Sequence, residues 1–222
     1  PAPGLHPVRA DLASGEGLAR LPRQAEAIVF CAAPDQRDEA AYRALYLDGL
    51  RRLLDQCEAP RVLFVSSTAV YGGDDGAWVD ETSETTPREF RGTRMLEAER
   101  VLLESGSPAT VLRLGGIYGP GRTRLIEGVR GGRSVVAPGP PRWGNRIHRD
   151  DAAGALAHLV GAALRGAPPP AILIGVDDEP ADEAEVLRWI ASRLGVPAPA
   201  VAEGAPAARA RGGSKRCSNA RL

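Results

Sequence analysis

The sequence predicts an α/β protein built on a doubly wound parallel sheet, and three observations predict it. Two runs, Ala27-Ile-Val-Phe-Cys-Ala-Ala and Arg61-Val-Leu-Phe-Val-Ser-Ser, have the length and apolar character of strands buried between helix layers. Between them, from Asp35 to Cys57, Tyr42, Leu45, Tyr46, Leu50, Leu53 and Leu54 recur at spacings of three and four, the stripe of an amphipathic helix that Ala59-Pro60 ends. Strand, helix and strand in that order make a right-handed crossover, and in such sheets ligands bind at the carboxyl ends of the strands.

The remaining elements follow in order. Val8-Arg-Ala-Asp-Leu reads as a short strand and Glu16 to Leu21 as a short helix. After the second buried strand, a stretch rich in Gly, Asp, Thr and Pro runs from Ser67 to about Phe90, long enough to be functional or partly ordered. A helix is expected from Thr93 to Glu104, then a strand at Thr110-Val-Leu-Arg-Leu, a short helix at Leu125 to Arg130 and a short strand at Ser134-Val-Val. The acidic pair Asp150-Asp151 complements the dipole at the start of a helix reaching Leu164. Ala171-Ile-Leu-Ile reads as a last core strand and Asp182 to Leu194 as an amphipathic helix. Beyond Val196 the composition turns to Ala, Pro, Gly and Arg, and a loosely ordered tail is expected.

Composition excludes several function classes. The 222 residues carry 28 basic and 28 acidic side chains, so no bulk positive field holds a phosphate backbone and nucleic acid is not the expected partner. No apolar run approaches the roughly 20 residues of a membrane helix, so no membrane partner is expected and a cytoplasmic location is. Cys31, Cys57 and Cys217 form no C-x-x-C pair, and His6, His148 and His158 lie apart from them, so no structural metal site is expected.

Three segments carry a specific pattern: Phe64-Val-Ser-Ser-Thr-Ala-Val-Tyr-Gly, Leu112-Arg-Leu-Gly-Gly-Ile-Tyr-Gly-Pro-Gly and Asn145-Arg-Ile-His-Arg-Asp-Asp-Ala-Ala. In this order and spacing they resemble the extended and atypical short-chain dehydrogenases/reductases, specifically the NAD-dependent epimerase/dehydratase family. Cys31-Ala-Ala, Gly175-Val-Asp-Asp-Glu-Pro and Ser214-Lys-Arg-Cys-Ser-Asn-Ala-Arg-Leu extend the resemblance over nearly the whole chain. It implies a single Rossmann-type domain over 1–222 with a small C-terminal substrate lobe, approximately 120–150 and 175–222. It also implies NAD or NADP as cofactor, a small-molecule substrate bearing a hydroxyl, a nucleotide sugar among the candidates, and a homodimer as the candidate assembly. A non-catalytic NAD(P)-binding or redox-sensing module is the alternative.

Carried over residue by residue, the resemblance places Ser67 as the active-site hydroxyl and Ser66 beside the cofactor, with Thr68-Ala69 where dehydratase members carry an acidic pair. Asp11 and Leu12 match the adenine-contacting pair, and Cys31, Ala32 and Ala33 the small residues that let the ribose approach. Gly115, Gly116 and Ile117 match the strip that passes the nicotinamide. Thr68, Tyr118, Arg122 and His148 are the substrate candidates. Each has a plainer reading as a turn, packing or surface residue.

The chain departs from the family pattern twice. Such proteins open with a Gly-x-x-Gly-x-x-Gly turn whose amides cradle the pyrophosphate, whereas the early cluster here, Ser14-Gly-Glu-Gly, lacks the third glycine and the chain starts at Pro1, so an N-terminally incomplete sheet is expected. Catalytic members also use a Tyr-x-x-x-Lys pair, in which the lysine field helps the phenol exchange a proton. Four residues beyond Tyr42, Tyr46, Tyr71 and Tyr118 stand Tyr46, Leu50, Asp75 and Arg122, and the single lysine is Lys215. At the family's position stand Phe90, which cannot act as an acid, and Arg94, which keeps a positive charge where the lysine would be.

Overall fold

The computed structural model describes residues 4–202 and 213–222. A four-stranded parallel sheet has the order β1-β2-β4-β8, formed by β1 (Ile28–Phe30), β2 (Val62–Ser67), β4 (Ala109–Leu114) and β8 (Ile172–Gly175). The smaller strands are β3 (Trp78–Val79), β5 (Gly116–Tyr118), β6 (Trp143–Gly144), β7 (Arg146–His148), β9 (Ala181–Asp182) and β10 (Arg216–Cys217). The helices are α1 (Glu39–Arg43), α2 (Leu50–Gln56), α3 (Phe90–Leu103), α4 (Arg124–Arg130), α5 (Arg149–Leu164) and α6 (Glu183–Leu194). The predicted crossover is present: β1 pairs with β2 in parallel, with Phe30 opposite Phe64.

The chain divides into two compact units. The first comprises Pro1–Ser66, Glu89–Leu112 and Leu156–Ile172; the second comprises Ser67–Arg88, Arg113–Ala155 and Leu173–Leu222. Strands β2, β4 and β8 each pass from the first set of residues to the second, so their carboxyl ends belong to the second unit.

In the first unit the core is aromatic and aliphatic. Phe30 lies 5.4 Å from Phe64 between ring centroids, and Tyr46 meets Phe64 edge-on at 6.3 Å. Leu50, Ala98 and Leu102 are fully buried, and a buried leucine stabilises by about 1.5–3 kcal/mol. The predicted helix over 35–57 starts where the Asp38 carboxylate accepts the Ala41 N–H at 2.8 Å. It is interrupted by a π-helical turn over Ala44–Gly49 that joins α1 to α2. Val29 is exposed, although the sequence predicts β1 to be buried on both faces.

In the second unit Val129, Val136, Leu187, Ile190 and Ala191 form a cluster that joins α4 to α6. Asp182 accepts the Ala184 N–H to cap α6, and Gly195, at φ 65, ends it in the left-handed conformation glycine tolerates.

Three expectations are corrected. No strand forms over 8–12, because the Asp11 carboxylate captures the N–H groups of Ala13 and Ser14 in a tight turn. The expected strand at 134–136 reduces to a single parallel bridge between Val136 and Val201. The tail is not uniformly loose: Arg216–Cys217 pairs in parallel with Trp78–Val79, and Ser214, Lys215 and Cys217 are buried. Residues 203–212 lie outside the described residues.

Candidate functional site

The candidate residues of the first unit lie on the end of β1, on the 11–17 turn and on α3. Cys31 and Ala33 are exposed and Ala32 is half-buried, and the Ala32 carbonyl accepts the Tyr46 hydroxyl at 3.3 Å. Asp11 is held well ionised, its carboxyl lowered first by the Ser14 hydroxyl and then by the Ser14 and Ala13 amides. The turn is pinned to α2. Arg52 Nη1 donates to the carbonyls of Leu12 at 3.1 Å and Ala13 at 2.6 Å, and a Cβ on Gly49 would stand 3.0 Å from the Leu12 oxygen.

Ser66 is buried, and its hydroxyl donates to the buried Glu99 carboxylate at 2.5 Å. That side chain ties β2 to α3 from inside. Glu99 carries no signal in the sequence beyond its place on a helix.

Phe90 and Arg94 are held by their neighbours. The Phe90 ring meets Tyr42 edge-on at 5.5 Å. The Arg94 guanidinium forms ion pairs with Glu39 and Glu97, both at 2.5 Å, and Glu39 is the first cause that raises its already high pKa. A cation so paired holds its charge and has no proton to exchange near neutrality.

The second unit holds the other candidates. Ser67 caps the 3-10 turn Thr68–Val70, its hydroxyl oxygen accepting the Ala69 N–H at 3.1 Å, and the Thr68 side chain is buried. The hydroxyl proton of Ser67 is left to a further acceptor. Gly115 and Gly116 differ sharply. A Cβ on Gly115 would stand 2.8 Å from the Asn145 carbonyl oxygen and 3.0 Å from Val176 Cγ1, whereas one on Gly116 would meet nothing closer than 3.5 Å. Packing demands the first glycine; the second leaves an exposed strip.

Strand β5 pairs in parallel with β7, which places Gly116 opposite Arg146, Ile117 opposite Ile147 and Tyr118 opposite His148. The Tyr118 and His148 rings meet edge-on at 5.3 Å. The Asp177 backbone N–H donates to the Arg146 carbonyl at 2.6 Å, and its carboxyl interacts electrostatically with the Tyr118 phenol. Asp177 is pushed up from the usual carboxylate range, chiefly by burial and against the lowering effect of the Tyr118 hydroxyl. Tyr118 is pushed up by burial and then by the Asp177 charge. Arg122 is exposed beside Gly119, whose carbonyl accepts its N–H at 2.9 Å.

Asp177 was not singled out from the sequence. Its signal was positional: it stands two residues beyond the last core strand, where an α/β sheet places its ligand-facing groups. Tyr71 and Arg113 were missed as well. A lone arginine within Thr110-Val-Leu-Arg-Leu was the available sign of a buried, partnered charge.

Comparisons with known proteins agree with this architecture. The structure titled putative NAD-dependent epimerase/dehydratase from Methylobacillus flagellatus is 36% identical, with a TM-score of 0.79, covering 100% of this chain and 77% of that one. Protein YeeZ of Escherichia coli strain K12 is 35% identical over 130 residues, which are 54% of this chain and 44% of that protein, so the match spans less than half of that relative. The Bordetella bronchiseptica enzyme WbmG, solved in complex with NAD and UDP, shares the fold at 20% identity and a TM-score of 0.74, covering 99% of this chain and 73% of that one. The family model itself matches residues 2–175, which include the crossover, the Ser66-Ser67 strand end and the strip from Gly115 to His148, and on that match the chain belongs to the NAD dependent epimerase/dehydratase family.

Proposed function

We propose that this chain carries out NAD-dependent redox chemistry on a hydroxyl-bearing small molecule, with a nucleotide sugar as the substrate class. The observation that carries the reading is the character of the strand ends in the second unit: a capped Ser67 with its hydroxyl proton uncommitted within the turn, and an open strip at Gly116. Backbone accessible at a strand's carboxyl end suits close approach of a ribose or a nicotinamide. When bound, the nicotinamide would accept or donate a hydride. Ser67 and the Gly116 strip fit the nicotinamide portion of NAD; the sequence contains no Gly-x-x-Gly-x-x-Gly turn, so no residue is assigned to the pyrophosphate. WbmG holds both NAD and UDP, which supports the substrate class. Ser67 would orient the substrate hydroxyl, and Gly115 would keep the strip in register through its packing on Asn145.

A second reading has its own support. Phe90 is packed on Tyr42 and Arg94 is doubly paired, so the position that serves proton transfer in catalytic relatives holds no exchangeable proton. A dinucleotide-binding module without turnover would look like this at α3. Among the described residues no helix is long and apolar enough to cross a membrane, and a cytoplasmic homodimer completes the proposal.

Calorimetry with NAD and NADP, followed by NAD(P)H absorbance across a nucleotide-sugar panel, separates the readings. Binding with turnover that falls in Ser67→Ala supports the enzyme; binding without turnover on any sugar nucleotide supports the module. Sedimentation velocity of the same preparation tests the dimer.

A further inference from the structure

We propose that the 213–222 segment is a working part of the nicotinamide site, a clasp that holds the two walls of the Gly115–Gly116 strip through the side-chain amides of Asn145 and Asn219. The inference rests on the NAD-dependent reading above and deepens it: it names two positioning residues for the strip, both from outside β5.

The strip has a wall on each side. On one, the Gly116 N–H donates to the Asn145 carbonyl at 2.9 Å; on the other, the Gly115 N–H donates to the carbonyl of Gly175, the last residue of β8, at 3.0 Å. Neither wall stands clear of the strip. A Cβ on Gly115 would lie 2.8 Å from the Asn145 oxygen and 3.0 Å from Val176 Cγ1. Packing this close transmits small displacements, so whatever fixes Asn145 and Val176 fixes the strip.

The 213–222 segment grips both walls. The Asn145 side chain donates through Nδ2 to the Lys215 carbonyl at 2.9 Å and accepts the Cys217 N–H on Oδ1 at 2.7 Å, so one residue holds the segment by its side chain and Gly116 by its backbone. On the second wall the Asn219 Nδ2 donates to the Val176 carbonyl at 2.9 Å and to the Asp178 carboxylate at 2.8 Å, which uses both hydrogens of that amide.

The clasp is itself seated. The N–H groups of Arg216 and Ser218 donate to the Ala77 and Val79 carbonyls, both at 2.9 Å, in the stretch that follows Ser67. The Arg216 guanidinium lies 5.2 Å from the Trp78 ring centroid and 5.1 Å from that of Trp143, and its Nε donates to the Gly76 carbonyl at 2.7 Å. Ser214 Oγ accepts the Trp143 N–H at 3.1 Å. The segment thereby ties the stretch after Ser67, the Asn145 wall and the end of β8 into one frame. Those are strand-end positions, where an α/β sheet binds its ligands. Ser214, Lys215 and Cys217 are buried in this frame and are not members of the apolar cluster between α4 and α6.

Asn145→Ala and Asn219→Ala in the full chain test this, with Asn145→Ser as the second variant where Ala impairs folding. Val129→Ala, in the α4–α6 cluster, is the stability control. Amide hydrogen exchange followed by nuclear magnetic resonance reads the grip without any ligand. Gly116 is expected to exchange about 10-fold faster in Asn145→Ala, and Gly115 in Asn219→Ala, with the α6 amides unchanged. Calorimetry reads the consequence: each variant should weaken NAD binding by about 3- to 10-fold, the effect of one or two lost hydrogen bonds. Val129→Ala should lower Tm and leave NAD affinity as it is. Glycine amides that keep their protection in both variants overturn the clasp. Faster exchange with unaltered NAD affinity also overturns it and leaves the NAD reading standing, as does a Val129→Ala protein that loses as much affinity as the clasp variants. An unmodified protein that binds no NAD overturns the reading and the clasp's role together.

Discussion

The Arg113 guanidinium lies 5.0 Å from the centroid of the Tyr71 ring and donates through Nη1 to the Tyr71 hydroxyl oxygen at 2.6 Å, with both residues buried. A charge inside the second unit is thus met by a ring face and by a lone pair. Tyr71→Phe keeps the face and removes the lone pair. A hydrogen bond to a charged group contributes about 1.5–3 kcal/mol, so we expect Tyr71→Phe to lower stability by about that much. A urea melt of the two proteins measures it, and coincident midpoints would mean that the Tyr71 hydroxyl adds nothing to the other contacts of Arg113.

The neighbouring glycines give a sharper contrast. Ala at 115 would bring Cβ to 2.8 Å from the Asn145 oxygen, a backbone atom held in turn by the Gly116 N–H at 2.9 Å. Neither side can yield without moving β5 off β7. We expect Gly115→Ala to destabilise by about 1–3 kcal/mol, in the range of an overpacked core. Gly116→Ala should leave Tm nearly unchanged, since its Cβ meets nothing within 3.5 Å, and should instead weaken NAD binding by filling the open strip. Equal losses of Tm in the two variants would contradict the difference in packing.

Much of the fold was legible because burial writes itself into composition. Phe64 and Leu112 sit in runs that admit no other environment, and both strands lie where their periodicity puts them. What the sequence concealed are contacts between distant segments. The 213–222 segment is largely polar, yet Asn145 receives it as a strand edge would, its Nδ2 donating to the Lys215 carbonyl at 2.9 Å and its Oδ1 accepting the Cys217 N–H at 2.7 Å. No local pattern announces a partner seventy residues away. The same holds for Asp177, which meets β7 through the N–H it donates to the Arg146 carbonyl, thirty-one residues away.

Thiol chemistry tests the burial of the tail without any ligand. Cys31 is exposed at the end of β1, whereas Cys57 and Cys217 are buried, and burial pushes the Cys217 thiol up to about 11. Because the thiolate is the reactive form, a chromogenic disulfide reagent near neutral pH should react quickly with Cys31 and only on unfolding with Cys217. Cys31→Ser should abolish the fast phase. A second fast thiol that disappears in Cys217→Ser would show that the 213–222 segment leaves β3 readily in solution.

Alkaline pH should weaken the first unit through Tyr46. Burial raises this phenol from 10.0 to about 12, with Tyr42 adding a smaller effect, while the hydroxyl donates to the Ala32 carbonyl. The folded state thus holds the phenolic proton more tightly than the unfolded chain. Between the two values the unfolded chain has released its proton and the folded one has not, so stability falls as pH rises. The contribution is fully present below the unfolded value of 10.0 and is gone once pH passes the folded value of about 12. Tyr46→Phe lacks the titrating group, so its stability should run level with the unmodified protein's through neutral pH, offset by the lost Ala32 bond, and then converge on it or exceed it as pH climbs toward 12. Other groups that titrate in this range, Lys215 and Cys217 among them, are common to both proteins and cancel in the difference. Urea midpoints collected at steps between pH about 8 and about 12 measure this, and a constant gap between the two proteins across the range would mean that Tyr46 ionises as easily in the folded state as in the unfolded one.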